Sequence, residues 1–310
     1  MSKKNIENTE VLSWLLFTGL CLIWGSSFVL MKIGMFDSGG QSLLSAWQVA
    51  AMRVFSAGLV LLPFVAQAWK KIPKSLRGNV ILSGWLGSFL PAFLFCVAES
   101  KIDSALAGTL NAVTPLFTIG IGWLFYKSII SKASFWGILI GFAGCILLFM
   151  HKSAAGESEN GYSLLVVLAT VCYGWNVNMV KEKLSGVGPL DIASLALSGL
   201  LPFAGIILMA TGYFSLPLME APYLKASVAG FILGAVGTAF ASVLFYRLVK
   251  IAGVIFASLV TYGIPFVAIG WGFIYGEKIT LLQVAALCII LSGVYIANRN
   301  NVKKLQKQTD

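Results

Sequence analysis

Residues 105–123 read ALAGTLNAVTPLFTIGIGW, and residues 255–273 read IFASLVTYGIPFVAIGWGF. Each is an apolar run broken near its middle by a proline, Pro115 or Pro265. A pair of glycines two positions apart follows each proline, Gly120 and Gly122 or Gly270 and Gly272. The offset is 150 residues throughout, and it also pairs Ala107 with Ala257. Upstream, Trp24-Gly25-Ser26-Ser27 before Lys32 resembles Tyr173-Gly174-Trp175-Asn176 before Lys181, at an offset of 149. The chain therefore reads as one unit written twice.

A helix needs about 20 mostly apolar residues to cross a hydrocarbon core of about 30 Å. Ten runs meet that reading: 11–31, 46–66, 80–98, 105–125, 133–150, 162–180, 192–213, 226–249, 254–275 and 281–297. Lys3 and Lys4 ahead of the first run resemble a signal peptide. The run is too long for an h-region and lacks a small-residue cleavage site, so it reads as the first span. The connections are short, and none could fold as a soluble domain.

Composition agrees with this. Charged residues make up 11% of the chain and hydrophobic residues 58%, with a mean hydropathy of +0.88. A soluble domain carries roughly a quarter charged residues. The net charge of +10 would suggest nucleic acid if it were spread over the surface, but its distribution excludes that partner. With an even number of spans and the N-terminus inside, 16 of the 22 lysines and arginines fall on cytoplasmic segments and five outside. Arg53 lies within a span. This asymmetry predicts that both termini are cytoplasmic. The five cysteines lie inside apolar runs with no CxxC spacing and read as small buried hydrophobes rather than disulfides or metal ligands.

Five spans per copy is an odd number, so the second copy enters the membrane upside down. The expected fold class is an all-α integral membrane protein of two inverted five-helix repeats, residues 11–150 and 162–298. Inverted repeats of this kind recur in secondary transporters.

The Trp24-Gly25-Ser26-Ser27-Phe28 stretch and Arg53 carry a resemblance to a known family. So does the segment from Pro265 through Tyr275-Gly276-Glu277 to Leu291-Ser292-Gly293-Val294. The chain resembles the drug/metabolite transporter superfamily, in its EamA-like branch of ten-helix bacterial permeases. The resemblance implies export or exchange of amino acids and related metabolites through a central cavity. It implies that helices 1, 3, 4, 6, 8 and 9 line that cavity. One departure stands out: the first repeat has Tyr126-Lys127 where the second has Gly276-Glu277.

Candidate transport residues follow from the cost of polar groups in a membrane, which face the bundle interior by preference. A proline cannot bond the carbonyl four residues back. Pro115 therefore frees the carbonyl of Asn111, and Pro265 that of Thr261. These two, with Thr114 and Tyr262 beside them, form the expected midplane substrate site. Trp24, Ser27, Trp175 and Asn176 supply further polar and aromatic contacts, with the two tryptophans as alternative gates. Arg53 reads either as a contact for a substrate carboxylate or as a side chain reaching for the outer interface. Gly137-x3-Gly141 and Gly230-x3-Gly234 read as helix-packing faces. No acid lies near a helix centre. Glu99, at the outer end of the third span, comes nearest, and with Tyr173 it is the candidate for coupling or gating. The expectation is facilitated diffusion or weak proton coupling.

The expected function is an exporter or facilitator of small amphipathic metabolites, amino acids foremost, in the inner membrane. Nucleosides, sugars, polyamines or drug-like cations, import or exchange, and a channel are the alternatives. Catalysis is not expected. The single histidine, His151, sits at a helix end, no HExxH or GxSxG occurs, and a pump's GxxxxGK[ST] is missing. No cofactor or metal is expected, and the partners are solute and lipid bilayer, with a homodimer left open.

Overall fold

The computed structural model describes the backbone of residues 3–37, 39–128, 131–153 and 157–309. It describes the side chains within 10–37, 39–128, 131–148, 161–252, 256–257 and 259–297. The side chain of His151 lies outside the described residues. The helices are α1 (Lys3–Met35), α2 (Ala46–Lys71), α3 (Lys74–Glu99), α4 (Ser104–Tyr126), α5 (Lys132–Ser153), α6 (Glu157–Lys183), α7 (Pro189–Ala210), α8 (residues 221–258), α9 (Val260–Ile274) and α10 (Leu281–Thr309).

Among the described residues, seven segments are long and apolar enough to cross a membrane: those of α1, α2, α3, α4, α6, α7 and α8. In the other three the apolar stretches within the described side chains are Lys132–Leu148, Val260–Ile274 and Leu281–Ala297. The expected turn near residues 250–253 lies in helical backbone, because α8 stays helical to Ser258. That helical run is why α9 is short.

Two expected spans are interrupted. In α4 the helix stops at Asn111 and restarts at Thr114. There Ala112 N–H donates to Thr109 and Val113 N–H to Leu110 in tight i→i−3 turns. The same turn recurs ahead of Pro265, where Tyr262 N–H donates to Leu259. In α7 the interruption lies between Ser198 and Leu201, ahead of Pro202. Proline disfavours helical geometry in the residue before it, and its ring meets the preceding turn.

Glycines let the helices approach backbone to backbone. A Cβ at Gly137 would collide with Gly293 and Ala297 of α10, and one at Gly293 with the backbone of Gly137 and Gly141. Ser134 Oγ donates across the same seam to the Ala297 carbonyl at 2.8 Å. Gly230 and Gly234 lie against Met52, Arg53 and Ser56 of α2. Both predicted small-residue faces are therefore helix contacts, which is how helices associate where lipid removes the hydrophobic drive. Large side chains such as Trp14, Trp123, Trp136, Phe203, Met209 and Phe273 point outward, an apolar exterior suited to a bilayer.

Helix ends are capped by local chemistry. Ser45 and Gln48 form a capping box at the start of α2, and Thr280 and Gln283 exchange the same pair of bonds at the start of α10. Lys71, ending α2, sits 3.8 Å from Asp191, which opens α7.

Candidate functional site

Among the described residues, two helices carry a π segment, Trp85–Phe89 in α3 and Ala235–Phe240 in α8. A π segment inserts an extra residue into the helical turn and commonly marks a functional site. Both begin just after a glycine and contain the next one, in Gly84-x2-Gly87-Ser88 and Gly234-x2-Gly237-Thr238. The offset is again 150. Each inner glycine faces a polar side chain of another helix. Gly87 lies against the Asn176 amide, leaving no room for a Cβ. At Gly237, a Cβ would stand 3.0 Å from Ser27 Oγ.

Around the α8 segment the polar groups interlock. Trp24 Nε1 donates to the Gly237 carbonyl at 3.0 Å. Thr238 Oγ1 donates to the Leu233 carbonyl at 3.2 Å and accepts from Arg53 Nε at 2.8 Å. Arg53 is 9% exposed and therefore does not reach for the interface. Its Nη1 lies 3.9 Å from Met31 Sδ, and no carboxylate lies within ion-pair distance of it among the described residues. Around the α3 segment the groups are neutral. Ser83 Oγ donates to Asn176 Oδ1 at 2.7 Å and lies 3.5 Å from Tyr246 OH.

These elements enclose a cavity of about 150 Å³. Its polar lining includes Trp24, Ser27, Arg53, Asn111, Thr114, Tyr173, Asn176, Thr238, Tyr246 and Thr261. The contributing helices are α1, α3, α4, α6, α8 and α9, with Arg53 added from α2. Of the predicted substrate residues, Asn111, Thr114, Thr261, Trp24, Ser27, Asn176 and Arg53 line it, and so does the predicted gate Tyr173, stacked on Phe95 with centroids 6.1 Å apart.

Three predicted residues lie elsewhere. Trp175 packs on Phe125 at 4.7 Å, because it is one residue, about 100° of helix, away from Asn176. Tyr262 packs against the hydrophobic core beside the cavity residue Thr261. Glu99 is fully buried beyond the cavity lining. The Asn111 carbonyl, expected to be free, accepts the Thr114 hydroxyl at 2.7 Å, so the chain satisfies that acceptor internally.

The reading of the residues missed Gly87, Ser88, Gly237, Thr238, Ser242, Phe245 and Tyr246, all lining the cavity. A signal existed for four of them: the GxxGS and GxxGT motifs at the repeat offset.

The repeat crossings are also equivalent. Gly25 of α1 packs against Val267 and the Ile264 carbonyl of α9, and Gly174 of α6 against Phe117 and Thr118 of α4. Close glycine contact at both places lets α1 run past α9, and α6 past α4, into the cavity.

Comparison with known proteins places this arrangement. The EamA-like transporter family matches residues 12–150 and, separately, 161–299. The "Uncharacterized inner membrane transporter YedA" of Escherichia coli K12 is 26% identical over 287 residues, covering 89% of this chain and 87% of that protein. The "Probable amino-acid metabolite efflux pump" of Salmonella typhimurium LT2 is 24% identical over 290 residues, covering 89% of this chain and 91% of that protein. A solved crystal structure with 16% sequence identity superposes with a TM-score of 0.60, covering 92% of this chain and 96% of that one, a likeness of fold alone. With a family match over nearly all its length and a bundle of apolar helices around a polar cavity, the chain belongs to the EamA-like transporter family and is a multi-pass membrane transporter.

Proposed function

We propose that this protein moves small amphipathic metabolites, amino acids or close relatives, across the inner membrane by alternating access. The unit of movement is a pair of inverted five-helix repeats, residues 11–150 and 162–298, ten spans in all, with both termini cytoplasmic. Several observations support this reading. The family matches twice, the π segments and the prolines recur at an offset of 150, and the glycines of the helix crossings at 149. The lysines and arginines are distributed unevenly between the loops. A relative carries the inner membrane in its name, and another amino-acid metabolite efflux.

The observation that carries the substrate reading is the cavity around Arg53. A buried guanidinium facing a cavity without a protein carboxylate favours an anionic group on the solute, since buried charges need pairing. A polyamine or drug-like cation would meet that charge with repulsion. Drug-sized sites occupy about 300–1,000 Å³, and the 150 Å³ here suits a smaller solute. Aromatic rings of Trp24, Phe95, Tyr173 and Phe245 cover its apolar part.

The test is exchange of radiolabelled amino acids by the purified protein in liposomes. The expected result is saturable exchange that slows in Asn111→Ala and in Thr261→Ala. Wild-type flux in both variants would remove the midplane site, and flux without saturation or counterflow would indicate a channel.

A further inference from the structure

Beyond the cavity, on the side of Met31, Arg53 and Phe95, lies a carboxylic acid that the solute site does not use. Glu99 is one helical turn past the cavity-lining Phe95 on α3, and residues four apart share a helix face. It sits at a helix end, yet it is 0% exposed. Its Oε2 accepts the Ser104 hydroxyl at 3.3 Å. Its Oε1 is buried and has no hydrogen-bond partner among the described residues.

A second acid explains the enclosure. Glu277, in the turn between α9 and α10, accepts the Ser104 N–H on Oε1 and the Ala105 N–H on Oε2, each at 2.9 Å. Those are the first amides of α4, which the helix leaves unpaired, and a carboxylate is favoured there. The clamp holds the start of α4 and the α9–α10 turn together beside Glu99. The charged and titratable groups around Glu99 are Lys32 from α1, Arg53 from α2, Glu277 from that turn and Cys96 on its own helix. Neither Lys32 nor Arg53 forms an ion pair with it among the described residues.

An ionised carboxyl here would bury a charge with one oxygen lacking a donor. Such a group is unfavourable relative to a satisfied one. A neutral acid removes the charge. A metal ion fits less well: Glu277 has both oxygens engaged, Lys32 and Arg53 bring positive charge, and no cluster of three or more metal-ligating side chains occurs among the described residues.

We propose that Glu99 is a proton-binding site at one end of the cavity and that the transport cycle binds and releases one proton there. The proton adds to Oε1 from water while that end is open. The neutral acid is then enclosed as seen here, and the proton returns to water when the surroundings of Glu99 open again. The coupling to solute rests on the transport reading above; the proton site itself does not.

The test uses the full chain. In infrared spectra at neutral pH, the wild type should show the carbonyl stretch of a protonated carboxylic acid. That band should be missing in Glu99→Gln and retained in Glu277→Gln. A wild type without the band overturns the proposal whether or not the variant folds, and so does a band that survives Glu99→Gln. In liposomes loaded with radiolabelled amino acids, a gradient of about one pH unit should displace the steady-state distribution ratio by up to about tenfold for one proton per solute. In Glu99→Gln the ratio should stay at one. A wild type indifferent to the gradient, or a variant that responds as the wild type does, overturns the coupling. A wild type that moves none of the labelled amino acids overturns the transport reading instead, and the infrared band still decides the proton site.

Discussion

The two π segments share a backbone plan and differ in chemistry. In α3, Gly87 admits the Asn176 amide, and the neutral side chains of Ser83 and Tyr246 complete the cluster. In α8, Gly237 stands over the shorter Ser27, its carbonyl holds the Trp24 indole, and the neighbouring Thr238 holds the Arg53 guanidinium. One duplicated geometry thus supports an uncharged cluster in one half and a cation in the other. The lesson is that the repeat supplies the scaffold, a glycine where another helix must come close and a turn whose hydrogen bonds are rearranged. The chemistry at each segment comes from the side chains that differ between them.

The comparison can be broken most forcefully at the glycines. Gly87→Ala forces a methyl group onto an amide that Ser83 already pins, so it should destabilise the protein by about 1–3 kcal/mol, as overpacking does. Thermal unfolding in detergent would read this directly. Gly237→Ala should cost less, because the neighbour 3.0 Å away is the tip of a serine that can give. Shortening the partner, in the double variant Gly87→Ala with Asn176→Ser, should recover much of the lost stability. Equal losses at the two glycines, or no recovery, would mean that the segments are not built on the same plan.

Next in size is the charge that distinguishes them. Arg53→Lys keeps a cation but loses the Nε bond to Thr238 and the planar fork that suits a carboxylate. A hydrogen bond to a charged group is worth about 1.5–3 kcal/mol, roughly tenfold or more in apparent affinity for solutes bearing a carboxylate. Solutes without one should be nearly unaffected. A uniform loss across both classes in the transport KM would assign Arg53 to structure rather than to recognition.

Trp24→Phe sharpens the same contrast more gently. It leaves the Gly237 carbonyl without its donor, at about 1 kcal/mol. Amide hydrogen exchange should rise in the π segment of α8 and not in that of α3. Smallest is Lys71→Ala. This residue's pairing with Asp191 is 3.8 Å long, and the lysine side chain is 54% exposed. Exposed pairs contribute about 0–1 kcal/mol, so neither stability nor transport should shift measurably.

Much of the site was legible before any coordinates. Asn111, Thr114 and Thr261 stood out because a polar group beside a proline in an apolar run needs a reason to be there. Trp24, Ser27 and Asn176 stood out through the 149-residue match. Others were invisible for a definable cause. Tyr246 and Phe245 lie in an apolar stretch whose hydropathy says that it crosses the membrane, not which side of the helix faces inward. Trp175 was assigned to the site and Glu99 to the rim for the same reason, since neither azimuth nor enclosure is encoded in a run of apolar letters.

The chain's letters by themselves determined membrane residence and the helix break ahead of Pro115. Those properties follow from local chemistry: hydrophobic transfer over a span's length, and proline's missing N–H. Only the packed bundle decided that Arg53 turns inward to Thr238 and that Glu99 is sealed beside the Glu277 clamp. Such outcomes depend on helix rotation and on contacts between residues up to 185 positions apart, and no single segment carries that information.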